Sequence, residues 1–222
     1  MSAINSLMYA VFSWALVFAL TILFRLRCTG QRNLPRTGPV LIVANHQSFL
    51  DPPALGCGRR RHWHFLARKT LLTNRWTGWL LRRLNTLPVD QEGIGIEGIR
   101  AVVDSLARGR VVLIFPEGER THDGRLQEFK AGIALLFRKL DFPVVPAAIV
   151  GAYDAWPRWR KFPIPSPIFL PPTKRAIAVA FGRPRNSATL RALPRDEMLA
   201  QLQADVQELM KRAESLLGRP GS

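Results

Sequence analysis

Residues 39–51 read PVLIVANHQSFLD. The first half is a β-branched apolar run without polar interruption, the pattern of a strand buried on both faces, and it ends in a polar cluster where such a strand feeds a loop. The unit recurs downstream. VVLIF at 111–115 and FPVVPAAIV at 142–150 read as further buried strands, the second with Pro143 and Pro146 expected to limit its pairing. AIAVAFG at 176–182 reads as another. Helical patterns lie between them. Ile99, Val102, Val103 and Leu106 share one helical face before Gly109, and Leu126, Phe129, Ile133, Leu136 and Leu140 recur at helical spacing. From Asp196 to Leu217 an amphipathic helix carries Met198, Leu202, Val206, Leu209 and Leu216 as its expected buried stripe. Strands alternating with helices predict an α/β architecture.

Upstream of this body, Ile4 to Phe24 contains no charged residue, and Arg25, Arg27, Arg32 and Arg36 follow at once. That length matches the roughly 20 residues a helix needs to cross a bilayer, and it is also short enough to lie within one leaflet. A cleavable secretory signal fits less well, since no Lys or Arg precedes the run and no small-x-small site follows it. The expectation is an N-terminal membrane helix within an anchoring segment, residues 1–30, attached to a domain over 31–222 that faces the cytoplasm across the cytoplasmic membrane. A chain of 222 residues, 47% hydrophobic and 22% charged, excludes a multi-span transporter and a disordered chain. The outlier is charge: 32 Lys+Arg against 16 Asp+Glu leave +16, a field that draws nucleic acid, anionic lipid or a phosphorylated substrate. Cys28 and Cys57 make no disulfide framework, so a reducing compartment is expected. The stretch 153–172, YDAWPRWRKFPIPSPIFLPP, holds too many prolines for regular structure. It reads either as an interfacial loop with Trp156, Trp159 and Phe162 at headgroup depth beside Arg158, Arg160 and Lys161, or as a cover packed over the core.

Chemistry concentrates where two strands end. His46 and Asp51 are five positions apart, about 140° around an ideal helix, so no regular helical face brings them together. A loop can. If Asp51 opens a helix with Pro52 at its first position, its carboxylate can turn back onto the imidazole. One ring nitrogen is then fixed, and the other can take a proton from a hydroxyl. The alternative is that Asp51 only caps a helix and His46 is a satisfied loop histidine. The second cluster, Phe115-Pro116-Glu117-Gly118-Glu119-Arg120, also follows a buried strand, and the carboxyl edge of an α/β sheet is where ligands bind. Arg120 offers a fork for a phosphate, and Gly118 allows close backbone approach. Three other features lead elsewhere. The G-x-G-x-x-G of Gly93 to Gly98 does not follow a strand directly and reads as a linker. His62, His64 and Cys57 lack a second ligand cluster for zinc. No G-x-S-x-G stands behind a strand.

NHQSFLD at 45–51 followed by FPEGER at 115–120 resembles the glycerolipid acyltransferase family typified by lysophosphatidic acid acyltransferase. The likeness extends from Arg32 to Pro184, through Lys69 in FLARKTLL, LPVD at 87–90, FKAG at 129–132 and VVPAAI at 144–149. It implies a mixed, largely parallel sheet flanked by helices, of the glycerol-3-phosphate acyltransferase type. It implies His46 as general base with Asp51 as its orienter, Glu117 and Gly118 in the motif that shapes the acceptor site, and Lys69 and Arg120 at phosphate-contacting positions. The activity implied is transfer of a fatty acyl group from acyl-CoA or acyl carrier protein to the hydroxyl of a lysophospholipid, foremost 1-acyl-sn-glycerol-3-phosphate, giving phosphatidic acid. Expected partners are these substrates and membrane lipid, with no nucleic acid, no metal and no prosthetic group. Backbone donors near Gly118 are expected to hold the oxyanion. The chain departs from the family pattern at Gln91, where arginine is usual, and at Glu119, where a small residue is common. These departures keep glycerol-3-phosphate and lyso-ornithine lipid open as acceptors. A basic nucleic-acid-binding protein is the rival from another class, although no recognition motif accompanies the charge.

Overall fold

The computed structural model describes residues 3–58, 61–90, 95–138 and 141–219. In chain order the strands are β1 (Arg27–Thr29), β2 (Val40–Ala44), β3 (Trp63–Arg68), β4 (Thr86–Val89), β5 (Val111–Ile114), β6 (Pro143–Val150), β7 (Ala178–Phe181) and β8 (Arg185–Asn186). The helices are α1 (Ala3–Phe24), α2 (Asp51–Leu55), α3 (Lys69–Thr73), α4 (Arg75–Arg83), α5 (Ile96–Ala107), α6 (Ala152–Ala155), α7 (Ser187–Arg191) and α8 (Arg195–Leu216). One sheet runs β1-β7-β6-β2-β5-β3-β4, with β8 beside β6. The five strands from β6 to β4 are mutually parallel, while β7 runs antiparallel to β6. The sheet is thus mixed and largely parallel.

Both faces of the sheet are covered, which is why its central strands read as unbroken apolar runs. Val40, Ile42 and Ala44 of β2 join a core shared with α1 and α2, whereas Leu41 and Val43 point into a second core with α5 and α8. All five are fully buried. The α8 stripe is Met198, Leu202, Val206, Leu209 and Ala213, with Leu216 partly buried at its end.

One sequence expectation changes. The helical spacing at 126–140 is realised only as a 3-10 turn over Ala131–Phe137. The amides before it are committed elsewhere: Gln127 N–H donates to Glu117, Phe129 N–H to Gln203 and Lys130 N–H to the Pro116 carbonyl. These bonds tie the backbone to the neighbouring elements in a non-helical path, and the helical spacing is taken up only from Ala131 onward. Leu140 lies outside the described residues. The prolines of β6 limit its pairing only locally, because it pairs with β2 on one side and with β7 and β8 on the other. On that second flank the ladder breaks between Val144 and Ala147, and Pro146 falls in the break.

α1 is joined to this body by packing. Tyr9, Leu20 and Phe24 are buried, and Tyr9 Oη accepts the Trp63 N–H at 3.1 Å. Leu7, Val11, Trp14 and Phe18 face outward. The window Leu7–Phe24 is long and apolar enough to cross a membrane by length and composition.

Candidate active site

The register of the β2–β5 pair sets Val43 opposite Ile114. His46 and Glu117 therefore emerge side by side at the carboxyl edge, though distant in sequence. Their contact is direct: Glu117 Oε1 accepts the His46 N–H at 2.6 Å, and Oε2 accepts the Gln127 N–H at 2.9 Å. The His46 carbonyl in turn accepts the Thr121 N–H at 2.8 Å. The backbone of His46 is thereby held on both sides, and its ring stacks on Phe115, centroids 4.0 Å apart.

Asp51 is the first residue of α2 and Pro52 the second, one place later than expected. Its carboxylate is fully buried. One oxygen, Oδ2, accepts from His46 Nδ1–H at 2.7 Å, Gln47 N–H at 2.5 Å and Ser48 N–H at 2.7 Å. A carboxylate offers only acceptors here, so Nδ1 carries the proton and Nε2 keeps its lone pair in the neutral imidazole. The helix-capping reading of Asp51 does not hold, because Leu50 takes the N-cap position and the carboxylate binds amides of the turn before the helix together with the His46 ring.

His46 lines a cavity of about 320 Å³ together with Gly118, Arg120, Phe49 and Trp156. The remaining wall is mainly apolar, with Leu16, Phe65, Leu66, Leu71, Leu81, Leu84 and Val89. Arg120 stands over Phe49, its guanidinium carbon 3.6 Å from the ring centroid. Gly118 has φ +82, and its N–H closes a turn onto the Phe115 carbonyl at 3.1 Å. That donor, expected near an oxyanion, is already used. Glu119 pairs with Arg158 at 3.2 Å and with His122 at 3.5 Å, and the Arg158 hydrogen bond lowers its pKa. Its charge is therefore met from the 153–172 stretch.

Of the expected site residues, His46, Gly118 and Arg120 meet at the cavity, and Asp51 and Glu117 stand behind His46. Lys69 lies off the cavity lining, exposed, with its ammonium between Asp90 at 2.9 Å and Glu97 at 3.0 Å. Gln91 lies outside the described residues, as do Gly93 and Ile94 of the glycine-rich stretch. Among the described residues no group of three or more His, Cys, Asp or Glu side chains could hold a metal ion. His62 stacks on Tyr9, and burial pushes His64 down to about 4.

Three supporting residues escaped the sequence reading. Asn45 uses its amide to pair both the N–H and the carbonyl of Ile149 in β6, at 2.8 and 2.9 Å. Gln47 donates to the Gly124 carbonyl at 3.1 Å. Thr121 anchors His46 through its backbone. Polar residues directly after an apolar strand were the available signal for the first two. Burial, the largest cause, raises the Glu117 pKa to about 8, against the lowering effect of its two backbone hydrogen bonds. The neighbouring Asp51 charge raises it further.

Comparison with known proteins bears on this geometry. The family model described as Acyltransferase matches residues 25–150. The chain is 27% identical over 211 residues to the 1-acyl-sn-glycerol-3-phosphate acyltransferase of Bacillus subtilis, covering 95% of this chain and 98% of that one. It is 31% identical over 146 residues to the lyso-ornithine lipid O-acyltransferase of Pseudomonas aeruginosa, covering 65% and 54% respectively. The crystal structure of the 1-acyl-sn-glycerophosphate acyltransferase PlsC from Thermotoga maritima superposes with a TM-score of 0.71 at 24% identity, over 96% of this chain and 80% of that one. It shares the fold.

His46→Ala should lower turnover by about 10²–10⁴-fold, the usual contribution of a positioned general base, with an unchanged circular dichroism spectrum. Asp51→Asn should fall in the same range, because an amide cannot stabilise the imidazolium. Turnover near wild type in a folded His46→Ala chain would remove the base from the site. Glu117 gives a separate, pH-dependent expectation. Its folded pKa of about 8 exceeds the ordinary 4.5, so between those values the native state keeps a proton that the unfolded state has lost. Stability from this group falls as pH rises through that window, by at most about 1.4 kcal/mol per unit. Between pH 6.5 and 8, above the range in which His64 contributes an opposing rise, denaturant unfolding should show this fall in wild type and lose it in Glu117→Gln; equal slopes there would contradict the protonated buried acid.

Proposed function

The chain belongs to the acyltransferase family, whose model covers more than half of it, and from that premise we propose that this O-acyltransferase acylates 1-acyl-sn-glycerol-3-phosphate, giving phosphatidic acid. The donor is a thioester, acyl-CoA or acyl carrier protein. The observation that carries the reading is an oriented His46–Asp51 pair opening into a mainly apolar cavity. Such a pair serves a reaction in which a weakly acidic hydroxyl must lose its proton as it attacks. His46 Nε2 takes that proton while the hydroxyl oxygen bonds the thioester carbonyl carbon. The carbon–sulfur bond then breaks, and the imidazolium returns the proton to the leaving thiolate. Asp51 stabilises the imidazolium throughout. A thioester is already activated, so alignment of two substrates supplies most of the rate. No metal or prosthetic group takes part in this proposal.

The apolar wall suits the acyl chains, and Arg120 suits an acceptor phosphate. Lys69 is proposed as a second phosphate contact, which requires its ammonium to exchange at least one carboxylate partner. α1 is proposed as the membrane anchor, with the body on the cytoplasmic side. Its inner face packs along the body while Leu7, Val11, Trp14 and Phe18 point outward, an arrangement that favours immersion in one leaflet over crossing alone.

A second acceptor, lyso-ornithine lipid, draws on the similarity to the Pseudomonas enzyme. Incubating the purified chain with acyl-CoA or acyl carrier protein and a panel of lysolipids, with products read by lipid mass spectrometry, separates the two. Phosphatidic acid should dominate, and Arg120→Ala should raise the KM for the phosphate acceptor about tenfold or more while moving the donor KM less than about twofold. Preferential consumption of lyso-ornithine lipid would favour the second reading. Equal effects on both substrates would take the phosphate contact away from Arg120.

A further inference from the structure

We propose that the turn at 168–170 is a second membrane-inserting element, locked to the end of α1 so that helix and turn enter the same leaflet of an anionic bilayer. The inference rests on the reading above that the enzyme draws its acceptor from a membrane. Ile168, Phe169 and Leu170 form an exposed apolar tip, with Phe169 75% accessible. Phe18 at 69% and Leu23 at 43% extend the apolar surface along the outer face of α1.

The join between them is specific. A helix leaves its last carbonyls without partners. Here the Leu23 carbonyl accepts from Ser166 N–H at 2.7 Å, and the Ile22 carbonyl from Ile168 N–H at 3.0 Å. Arg25 leaves the helix at φ 51, and its guanidinium reaches the carbonyls of Pro167, Ile168 and Leu170. Peptide groups left bare resist transfer into hydrocarbon. These bonds satisfy carbonyls at the tip, and the prolines at 163, 165, 167, 171 and 172 carry no N–H to satisfy. The proline-rich backbone also holds the tip rigid, which lowers the ordering cost of insertion.

Charge identifies the occupant. Arg160 and Lys161 are exposed in the same stretch and Lys174 just after it, cations that suit headgroup phosphates, and the chain carries +16 overall. An apolar tip continuous with a helix of membrane-compatible length and flanked by cations matches a lipid surface better than a folded partner. The same stretch reaches the active site. Trp156 lines the catalytic cavity and sits 5.5 Å from Phe49, while Trp159 and Phe162 are exposed. Of the three aromatics expected at headgroup depth, Trp156 is turned inward and the other two remain outside.

The test uses the full chain and vesicles of phosphatidylglycerol and phosphatidylcholine. Phe169→Asp with Leu170→Asp should weaken co-sedimentation by about tenfold or more, since two apolar side chains lose their burial. The milder Phe169→Ser with Leu170→Ser pair should weaken it in the same direction with an unchanged thermal melt. An environment-sensitive dye on Phe169→Cys, with Cys28 and Cys57 changed to serine, should shift to the blue when vesicles are added. Co-sedimentation within about twofold of wild type in both double variants, or a dye that stays at its aqueous wavelength, would overturn the proposal. Turnover on a dispersed short-chain lysolipid is read in parallel. Its absence in wild type would remove the enzymatic reading while leaving the vesicle result to judge the turn.

Discussion

A single carboxylate oxygen organises the carboxyl edge of the sheet at the candidate site. Asp51 is removed from water, and a buried charge is costly unless donors surround it. Three donors converge on Oδ2, two of them backbone amides from the turn that leaves β2 and the third the His46 ring. Loop conformation, histidine tautomer and the start of α2 therefore depend on one another. A second buried acid, Glu117, completes the clamp from the end of β5, and its role differs because its oxygens accept backbone N–H groups of His46 and Gln127 and not the imidazole. Burial beside the Asp51 charge raises Glu117 well above the ordinary carboxylate range. Two acids share one edge with separate duties, one orienting the imidazole and the other tying together backbone from β2 and from the loop after β5.

That arrangement was legible where burial is uniform. β2, β5, β6 and β7 announced themselves as apolar runs because both of their faces are covered, and α8 did so because its buried stripe keeps helical spacing over many turns. β1, β3 and β4 did not. Arg27–Thr29 is only three residues long, and Trp63–Arg68 and Thr86–Val89 are only partly buried, so neither periodicity nor hydrophobicity distinguishes them from loop. The 126–140 segment misled for a different reason. Its apolar residues do reach the core, but its amides bind the site. Spacing alone reports which side chains are buried and not how the backbone satisfies itself.

The site shows the same division. His46 and Asp51 could be paired on paper because their chemistry lies in their side chains. The work of Glu117, Asn45, Gln47 and Thr121 is capture of backbone groups from other elements, which requires the register of β2 against β5 and β6. Arg158 belongs with them. It draws the 153–172 stretch onto Glu119, so a residue that departs from the family pattern is neutralised by the loop beside the cavity. Leu16 of α1 and Trp156 of that stretch line the same cavity as the imidazole.

The central claim is that His46 moves a proton while the acyl group passes directly from thioester to acceptor. Intact-protein mass spectrometry of the wild-type chain, incubated with acyl-CoA or acyl-loaded carrier protein in the absence of acceptor, tests it most directly. The account requires an unmodified mass, with acylated lipid forming only after lysolipid is added. An acyl adduct that forms on the chain with donor alone and discharges onto the acceptor would contradict it.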